Sequence, residues 1–270
     1  MSELLKGKIA LVTGAAGAIG YGICEVLLEN GATIVATDLP GEKLDAFAED
    51  LDKLAQGQSM GLPMDVTNVD SVAKALDETY TKYGQLDILV HNAGIAHVSK
   101  IIDMDIEKFQ FLENVNVDGT LIVLKETGRR MIEKAAGGDI VIMSTKNVPS
   151  PSAGFGAYSA TKAACHQLGR IASLEFAPHD IRVNMIAPDA VFSEGKYKSG
   201  LWDLVGEDRM RARGINEEEL HKYYRERNLL KAAVTGRHVA NAVLYFVSRQ
   251  SPTTGATIPV DGGLPDATPR

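Results

Sequence analysis

The sequence has few of the residues that build disulfide frameworks or metal centres. Only two cysteines, Cys24 and Cys165, occur among its 270 residues. Two cysteines so far apart in the chain give neither a disulfide scaffold nor the CxxC spacing typical of a zinc site. We therefore expect no metal centre, so that any chemistry must be carried by other side chains.

Long apolar runs and an excess of positive charge are also missing. No segment approaches the roughly 20 apolar residues that cross a bilayer, and the opening MSELLKGK lacks the apolar stretch of a signal peptide. Lysine and arginine number 28 against 35 acidic residues, a net charge of −7, whereas binding to a nucleic-acid backbone needs a basic face. We expect a cytoplasmic protein with a small-molecule substrate and neither membrane nor nucleic acid as partner.

The composition is that of a globular protein, with 45% hydrophobic and 23% charged residues. Short apolar runs such as Lys8–Thr13 and Asp139–Ser144 predict buried strands, and segments such as Val69–Tyr83 and Ile106–Glu133 predict helices between them. Strict alternation of strands and helices is typical of a doubly wound parallel sheet with helices on both faces. We expect an α/β Rossmann fold that forms one domain over residues 1–270.

One polar stretch, at about 193–231, breaks the alternation and predicts two helices. An insertion after a strand's carboxyl end covers the ligand crevice of an open α/β sheet, so we expect a small helical lid there. Between residues 196 and 231, nine basic residues stand against seven acidic ones. This balance allows an anionic substrate, although ion pairs along exposed helices explain much of it.

A glycine-rich turn, TGAAGAIG over residues 13–20, follows the first predicted strand and opens the first predicted helix. Such glycines let the backbone approach a pyrophosphate at a helix N-terminus, although ordinary turns also need glycine. Asp38 ends the second predicted strand, 24 residues after Gly14, where a carboxylate either binds an adenosine ribose or lies in a solvated turn. Together, the two features favour a bound dinucleotide.

Charge near Asp38 favours NAD over NADP. The carboxylate repels a 2′-phosphate, and no lysine or arginine stands within residues 14–19 or directly beside Asp38.

Short segments after the third and fourth predicted strands lie at the same edge of the sheet as the glycine-rich turn and Asp38, although helix caps and turns use the same residues. The expected cofactor-binding residues of these segments are Gly14, Gly17, Ile19, Gly20, Asp38, Asp65, Val66, Asn92, Ala93 and Gly94.

Tyr158 and Lys162 stand four residues apart in a predicted helix and therefore share one helix face. A free phenol has a pKa of about 10, and a nearby ammonium lowers it. We expect Lys162 to lower the pKa of Tyr158, which then exchanges a proton with an alcohol or carbonyl; a surface pair has the same spacing. Thr145, with Ser144 beside it, ends the fifth predicted strand, where a hydroxyl can bond the reacting oxygen or form a turn.

Jointly, these motifs make the chain resemble the short-chain dehydrogenase/reductase family from Lys8 to Gly263. The matching segments are TGAAGAIG, Asp38, Asp65-Val66, HNAG at 91–94, NVNVDG at 114–119, Tyr158 with Lys162, IRVNMIAP at 181–188 and TTGATIPVDGG at 253–263. The resemblance implies a catalytic tetrad of Asn116, Thr145, Tyr158 and Lys162. It also implies that Lys162 bonds the nicotinamide ribose, that Asn116 holds a proton-relaying water, and that Pro188 and Val191 contact the cofactor. The implied assembly is a homotetramer, or a homodimer.

Three residues depart from the family's pattern. Ala18 replaces the middle glycine of the turn, Asp189 replaces the glycine after Pro188, and Thr145 occupies the serine position. Ala18 puts a methyl group near the pyrophosphate, and Thr145 adds one to the pocket. Because Ser144 is adjacent, it is the alternative source of the hydroxyl.

A narrower resemblance suggests the substrate class. The segments STKNVPSPSAGFGAYSATKAACHQLGRIA, IAPDAVF, SGLW and GINEEELHKYYRERNLLK look like the dehydrogenase domain of bifunctional rhamnulose-phosphate aldolase/short-chain dehydrogenases, and parts look like sorbitol-6-phosphate 2-dehydrogenase. These relatives imply a polyol, sugar, sugar acid, or phosphorylated or sulfonated derivative as substrate.

The expected substrate contacts are Ser144, Lys146, Asn147 and Trp202. Lys146 follows Thr145, where it either meets an anionic group of the substrate or is solvated. Asn147 either bonds a hydroxyl or shapes a turn. Trp202, the only tryptophan, either closes over the ligand or packs the lid.

The expected activity is NAD-dependent oxidation of a secondary hydroxyl on a sugar-like compound. Two alternatives stay open at this point. One is a reductase of a small aldehyde or 3-oxo compound, because sequence does not set the direction of the reaction. The other is a non-catalytic dinucleotide-sensing protein on the same fold, against which the presence of Asn116, Tyr158 and Lys162 argues.

Overall fold

Strands and helices alternate through the chain in the computed structural model, which describes residues 3–193, 195–197 and 200–264. The strands are β1 (Ile9–Thr13), β2 (Thr33–Asp38), β3 (Ser59–Pro63), β4 (Ile88–His91), β5 (Gly138–Met143), β6 (Ile181–Pro188), β7 (Val191–Phe192), β8 (Val234–Thr235) and β9 (Thr257–Val260). The helices are α1 (Ala18–Glu29), α2 (Glu42–Leu54), α3 (Val69–Tyr83), α4 (Ile106–Glu113), α5 (Gly119–Lys134), α6 (Gly156–Phe176), α7 (Gly200–Arg213), α8 (Glu217–Glu226) and α9 (Gly236–Val247).

Seven strands form one parallel sheet in the order β3-β2-β1-β4-β5-β6-β9. The chain winds outward from β1 to β3, then returns to pair β4 with the other edge of β1 and winds the opposite way. The crevice outside the carboxyl ends of β1 and β4 is therefore the switch point at which such sheets bind ligands. This architecture confirms the fold class expected from the sequence.

The strands are apolar on both faces because helices cover both sides of the sheet. Leu11 faces the core layer that holds Val72 of α3, whereas the next residue, Val12, faces the layer that holds Ile23 of α1. All four side chains are fully buried. A strand buried on both faces shows no polar alternation, so β1 appears in the sequence as a continuous apolar run.

The helix predicted over 106–133 is interrupted in the structure. A π-type turn over Asn114–Asp118 separates α4 from α5. The Asn116 side chain accepts a hydrogen bond from the backbone N of Ile95 and donates one to its carbonyl oxygen, both at 2.9 Å. The turn is thus held against the loop after β4, and such turns are frequent at functional sites. Helical periodicity in the sequence does not reveal it.

The polar stretch at 193–231 contains α7 and α8, the two helices expected there. The short strands β7 and β8 pair in parallel, with Val191 opposite Val234, and so bring the two ends of the insertion together. Trp202 of α7 packs edge-on against Tyr224 of α8, with ring centroids 5.1 Å apart. The two helices form one layer, which we call the lid. No helix in the described part of the chain is both long enough and apolar enough to span a bilayer.

Candidate active site

A cavity of about 450 Å³ lies along the carboxyl ends of the strands, with the lid as one wall. Most residues that the sequence predicted for the site line it. These are Gly14, Gly17, Ile19, Asp38, Asp65, Val66, Asn92, Ala93, Gly94, Ser144, Thr145, Lys146, Asn147, Tyr158, Lys162, Pro188, Val191 and Trp202. Gly20 and Asn116 are not among the lining residues. Gly20 packs behind the glycine turn, where a Cβ would lie 2.4 Å from the carbonyl oxygen of Ala15.

The glycine turn follows β1 because Gly14 has a backbone that other residues rarely adopt. Its φ is +58°, and a Cβ there would lie 2.8 Å from Cα of Ala93. The Asp38 carboxylate meets the same turn, since its Oδ2 accepts a hydrogen bond from the backbone N of Ala16 at 3.0 Å. The turn and the acidic side chain are therefore held together at one end of the cavity.

This end of the cavity fits a dinucleotide. Gly17 precedes α1 and provides no side-chain cap for the helix, while Gly17, Ala18 and Ile19 all line the cavity. The N-terminus of α1 thus offers backbone N–H groups and the positive end of its dipole to an anion such as a pyrophosphate. Ala18, one of the three departures from the family pattern, is accommodated on this wall and is 7% exposed.

Lys43 also lines this end of the cavity, together with Asp38 and Leu39. No lysine or arginine stands directly beside Asp38 in the sequence, but the fold brings one to the same wall. Lys43 lies five positions further along the chain, but the first turn of α2 brings it back to the wall that carries Asp38. The absence of a nearby cation therefore no longer counts as a reason to prefer NAD.

Thr145 and Tyr158 lie at the other end of the cavity, where hydrogen bonding by the Thr145 side chain favours a lower pKa of the Tyr158 phenol. Tyr158 and Lys162 lie one turn apart on α6, and all three residues line the cavity. Ser144 also borders the cavity, but its hydroxyl lies 2.9 Å from Nδ1 of His166. Of the two candidate hydroxyls, Thr145 is therefore the one that contacts the phenol.

Burial, not the neighbouring lysine, dominates the titration of Tyr158. It raises the pKa of the phenol to about 12, and the hydrogen bond from Thr145 offsets only part of that rise. Lys162 donates a hydrogen bond to the carbonyl oxygen of Met143 at 2.9 Å, and burial lowers its own pKa. The expectation that Lys162 lowers the pKa of Tyr158 is wrong for the chain by itself, because apolar surroundings disfavour both charged forms.

Asn116 lies behind the cavity wall, next to the lysine. A Cβ on Gly94 would be 3.1 Å from Nζ of Lys162 and 3.2 Å from Oδ1 of Asn116, so the two polar groups border the same small space. The Asn116 amide also donates to Oγ1 of Thr161 at 3.0 Å. Asn116 is only 1% exposed, and its side-chain hydrogen bonds hold the π-type turn beside Lys162.

Several residues near the lid add charge and aromatic surface to the cavity. The sequence did not assign these residues to the site. Asp189 and Arg227 both line it, and two short contacts of 2.5 Å join their carboxylate and guanidinium. Arg209 lies 3.9 Å from the ring centroid of Phe155, and Tyr224 completes this wall. The only signal for the two arginines in the sequence was the basic excess counted across 196–231.

No group of three or more histidine, cysteine, aspartate or glutamate side chains within residues 3–193, 195–197 and 200–264 is arranged to hold a metal ion.

Comparison with known proteins agrees with this geometry. The family model described as short chain dehydrogenase matches residues 8–202. The chain belongs to the short-chain dehydrogenase family. As a member of this family it is an oxidoreductase, and its Gly14 turn, Tyr158 and Lys162 all lie inside the matched region.

Three curated members of the short-chain dehydrogenase family illustrate the range of relatives. The uncharacterized oxidoreductase YuxG of Bacillus subtilis is 33% identical over 265 residues. The match covers 97% of this chain but only 38% of the length of YuxG. The 3-oxoacyl-[acyl-carrier-protein] reductase FabG of Aquifex aeolicus is 32% identical, covering 98% of this chain and 100% of the relative. A sorbitol dehydrogenase of Cereibacter sphaeroides is 33% identical, covering 86% and 85%. The narrower resemblance to bifunctional aldolase/dehydrogenases stays a prediction.

Proposed function

We propose that this chain is an NAD-dependent dehydrogenase that interconverts a secondary hydroxyl and a carbonyl on a polyol, sugar, sugar acid or anionic sugar derivative. The observation that carries the proposal is one cavity with two complementary ends. The glycine turn and Asp38 line one end, and Thr145, Tyr158 and Lys162 line the other. The relative named as a sorbitol dehydrogenase supports a polyol as substrate.

Each residue at the chemical end has one task in this proposal. Oη of Tyr158 exchanges a proton with the reacting oxygen of the substrate. Thr145, which bonds the phenol, donates its hydroxyl proton to the same substrate oxygen. Lys162 holds positive charge beside the phenol and bonds the nicotinamide ribose, and Asn116 positions Lys162 from behind Gly94. The nicotinamide, when bound, supplies or accepts the hydride.

The raised pKa of Tyr158 bears on how each direction of the reaction depends on pH. A phenol with a pKa of about 12 is neutral at pH 7, and a neutral phenol is the form that gives a proton to a carbonyl oxygen. Oxidation needs the phenolate, so its rate should rise with pH. The second candidate is a reductase of a small aldehyde or 3-oxo compound, which the relative named as a 3-oxoacyl reductase supports.

NAD is proposed as the cofactor because of where Asp38 lies. Its carboxylate is anchored to the glycine turn through Ala16 N, where it can accept hydrogen bonds from an adenosine ribose and repel a 2′-phosphate. Lys43 on the same wall opposes this preference, because an ammonium attracts a phosphate. We rank the carboxylate higher because Lys43 is exposed and screened by solvent.

A homotetramer in the cytoplasm is the proposed assembly and location. Apolar side chains on α4, α5 and α6 support an assembly because they are exposed in the single chain: Phe111 is 60%, Leu121 50% and Leu174 76% exposed. Contacts between copies would bury such side chains. Light scattering on the purified chain tests the number of copies.

The deciding experiment follows NADH absorbance at 340 nm with a panel of polyols, sugars and sugar acids, and the reverse reaction with matching ketones. We expect turnover, and we expect Tyr158→Phe to lower kcat by about 10²- to 10⁴-fold. Tyr245→Phe removes a hydroxyl from a half-exposed tyrosine on α9 and serves as the matched control. Binding of NADH without turnover of any substrate in either direction would favour the dinucleotide-sensing alternative instead.

A further inference from the structure

A buried ammonium group lies in the cavity beyond Thr145. Lys146 is 8% exposed, and its Nζ donates hydrogen bonds to Oγ of Ser152 at 2.7 Å and to the carbonyl oxygen of Ser150 at 3.3 Å. Both acceptors are neutral, and an ammonium has three N–H donors. Within the part of the chain that the structure describes, Lys146 forms no ion pair with a carboxylate, so its ammonium is hydrogen-bonded only to neutral oxygens although it is buried, which is costly.

Two guanidinium groups add to the positive charge around Lys146. Arg227 is joined to Asp189 by its short bidentate contacts, and Arg209 is 6% exposed and lies over the ring of Phe155. Burial and the charges of both arginines lower the pKa of Lys146, while Asp189 raises it. Asp189 is committed to Arg227, so an anion placed in this part of the cavity would meet the ammonium of Lys146.

We propose that Lys146 and Arg209 form an anion subsite, which binds a terminal phosphate, sulfonate or carboxylate of the substrate. The proposal rests on the proposed function, because the opposite end of that substrate must reach Tyr158. It assigns the substrate to the anionic members of the sugar-like class. Charge-assisted hydrogen bonds to such an end group would supply binding energy away from the reacting carbon.

The residue proposed to bind the anion, Lys146, directly follows Thr145 in the chain after β5. Thr145 contacts Tyr158, and the next residue, Lys146, has its backbone N bonded to the carbonyl oxygen of Pro188 at 3.1 Å. Thr145 and Lys146 are therefore held as one unit between β5 and the end of β6. A substrate anchored by its anion at Lys146 has its hydroxyl or carbonyl oriented towards the neighbouring threonine and tyrosine.

A binding experiment tests the subsite without relying on turnover. Trp202 is the only tryptophan, lines the cavity and donates a hydrogen bond to the carbonyl oxygen of Val191 at 2.8 Å, so its fluorescence reports on this region. We would titrate inorganic phosphate, sulfate and acetate separately into the wild type and into Lys146→Met. We expect at least one anion to quench or enhance the signal, and Lys146→Met to weaken its binding by about 10- to 100-fold.

Two further variants make this titration decisive. Lys74→Gln removes a positive charge from an exposed side chain on α3 that does not line the cavity and should leave anion binding unchanged. Arg209→Met provides an independent loss of charge at the subsite, in case Lys146→Met does not fold, and should also weaken binding. Equal affinity of the wild type and a folded subsite variant for every anion, or no response to any of them, overturns the proposal.

Turnover of matched pairs provides the second test. We would compare kcat/KM for a neutral polyol with that for its phosphate and for the corresponding sugar acid. We expect the wild type to have the higher kcat/KM for an anionic member of each pair. Lys146→Met should reduce the ratio of the two kcat/KM values about 10-fold or more, mainly by raising KM for the anionic substrate. Equal kcat/KM within each pair refutes the anion subsite but leaves the dehydrogenase in place. A chain inactive towards all members refutes the proposed function, and the fluorescence titration then decides on the subsite.

Discussion

The hydroxyl of Ser144 lies 2.9 Å from Nδ1 of His166. The side chain of the next residue, Thr145, bonds Tyr158 instead. Both residues line the cavity, but the two hydroxyls have different partners. The sequence left this assignment open, and the interaction with Tyr158 is the reason why we propose Thr145 as the source of the catalytic hydroxyl.

Replacing the threonine should therefore damage turnover more than replacing the serine. Thr145→Val keeps the shape of the side chain but removes its hydrogen bond to the reacting oxygen, and we expect kcat to fall by about 10²- to 10³-fold. Ser144→Ala removes only the contact with His166 and should change kcat by less than about 10-fold. Steady-state kinetics with the best substrate measures both. The opposite ranking of the two variants would transfer the role to Ser144.

Cofactor selection depends on two opposite charges on one wall. Asp38→Ala removes the acceptor for the ribose hydroxyls and should raise KM for NAD by about 10- to 100-fold, while KM for NADP falls as the repulsion is lost. Lys43→Gln in the Asp38→Ala background should raise KM for NADP again, because the remaining cation attracts the 2′-phosphate. Kinetics of the wild type and the two variants with both cofactors gives the KM values that test this.

The control for cofactor selection is Glu49→Gln, which removes a negative charge from an exposed position on the same helix as Lys43. It should leave both KM values unchanged. If Asp38→Ala alters the ratio of the two KM values no more than Glu49→Gln does, the proposed preference for NAD loses its basis.

His91 should make the protein less stable in acid. Its ring nitrogens lie 3.1 Å from Oγ1 of Thr13 and 3.0 Å from Oγ1 of Thr120, and burial together with the charge of Lys162 lowers its pKa from 6.5 to about 3. Below pH 6.5 the unfolded chain takes up a proton that the folded chain does not, so stability falls as the pH drops towards 3. Linkage gives a loss of about 2 kcal/mol at pH 5.

Urea denaturation at pH 7 and pH 5 measures that loss. His91→Gln keeps an amide that can bond the two threonines but cannot take up the proton, so its free energy of unfolding should change less between the two pH values. His179→Gln, at an exposed position, should behave like the wild type. An equal loss in His91→Gln and the wild type would show that other groups cause the acid sensitivity.

Residues placed by local spacing could be predicted from the sequence. Gly14 and Asp38 follow directly from the ends of their strands, because parallel strands bring their carboxyl ends to one edge of a sheet. Tyr158 and Lys162 share a helix face for the same local reason. Lys43 was missed because its position depends on how the first turn of α2 packs against that edge.

The pKa of Tyr158 and the positions of the lid arginines could not be predicted from the sequence, because both depend on tertiary packing. The pKa of Tyr158 is set by the apolar surroundings that close over it, and these come from segments distant in the chain. Arg209 and Arg227 reach the cavity through the packing of the lid, which depends on contacts such as that between Trp202 and Tyr224. Counting charges in the lid indicated its sign but not which side chains face the substrate.

The ion pair between Asp189 and Arg227 should stabilise the packing of the lid. Asp189 stands where the family pattern has glycine, and its side chain is 7% exposed, against 18% for Arg227. The guanidinium also lies 4.3 Å from the ring centroid of Tyr224, so the pair ties the segment after α8 to the end of β6. Asp189→Asn leaves a buried guanidinium without its counter-charge, and we expect a loss of about 3 kcal/mol in the free energy of unfolding.

An exposed ion pair on α8 provides the comparison. Lys222 and Glu226 are 3.9 Å apart and more than half exposed, so Glu226→Gln should cost less than about 0.5 kcal/mol. Arg227→Met combined with Asp189→Asn should cost less than the sum of the two single changes, because removing both charges leaves neither one unpaired. Urea denaturation of the four variants measures this coupling. Additive losses, or an Asp189→Asn variant as stable as Glu226→Gln, would mean that the aromatic contacts hold the lid and the ion pair does not.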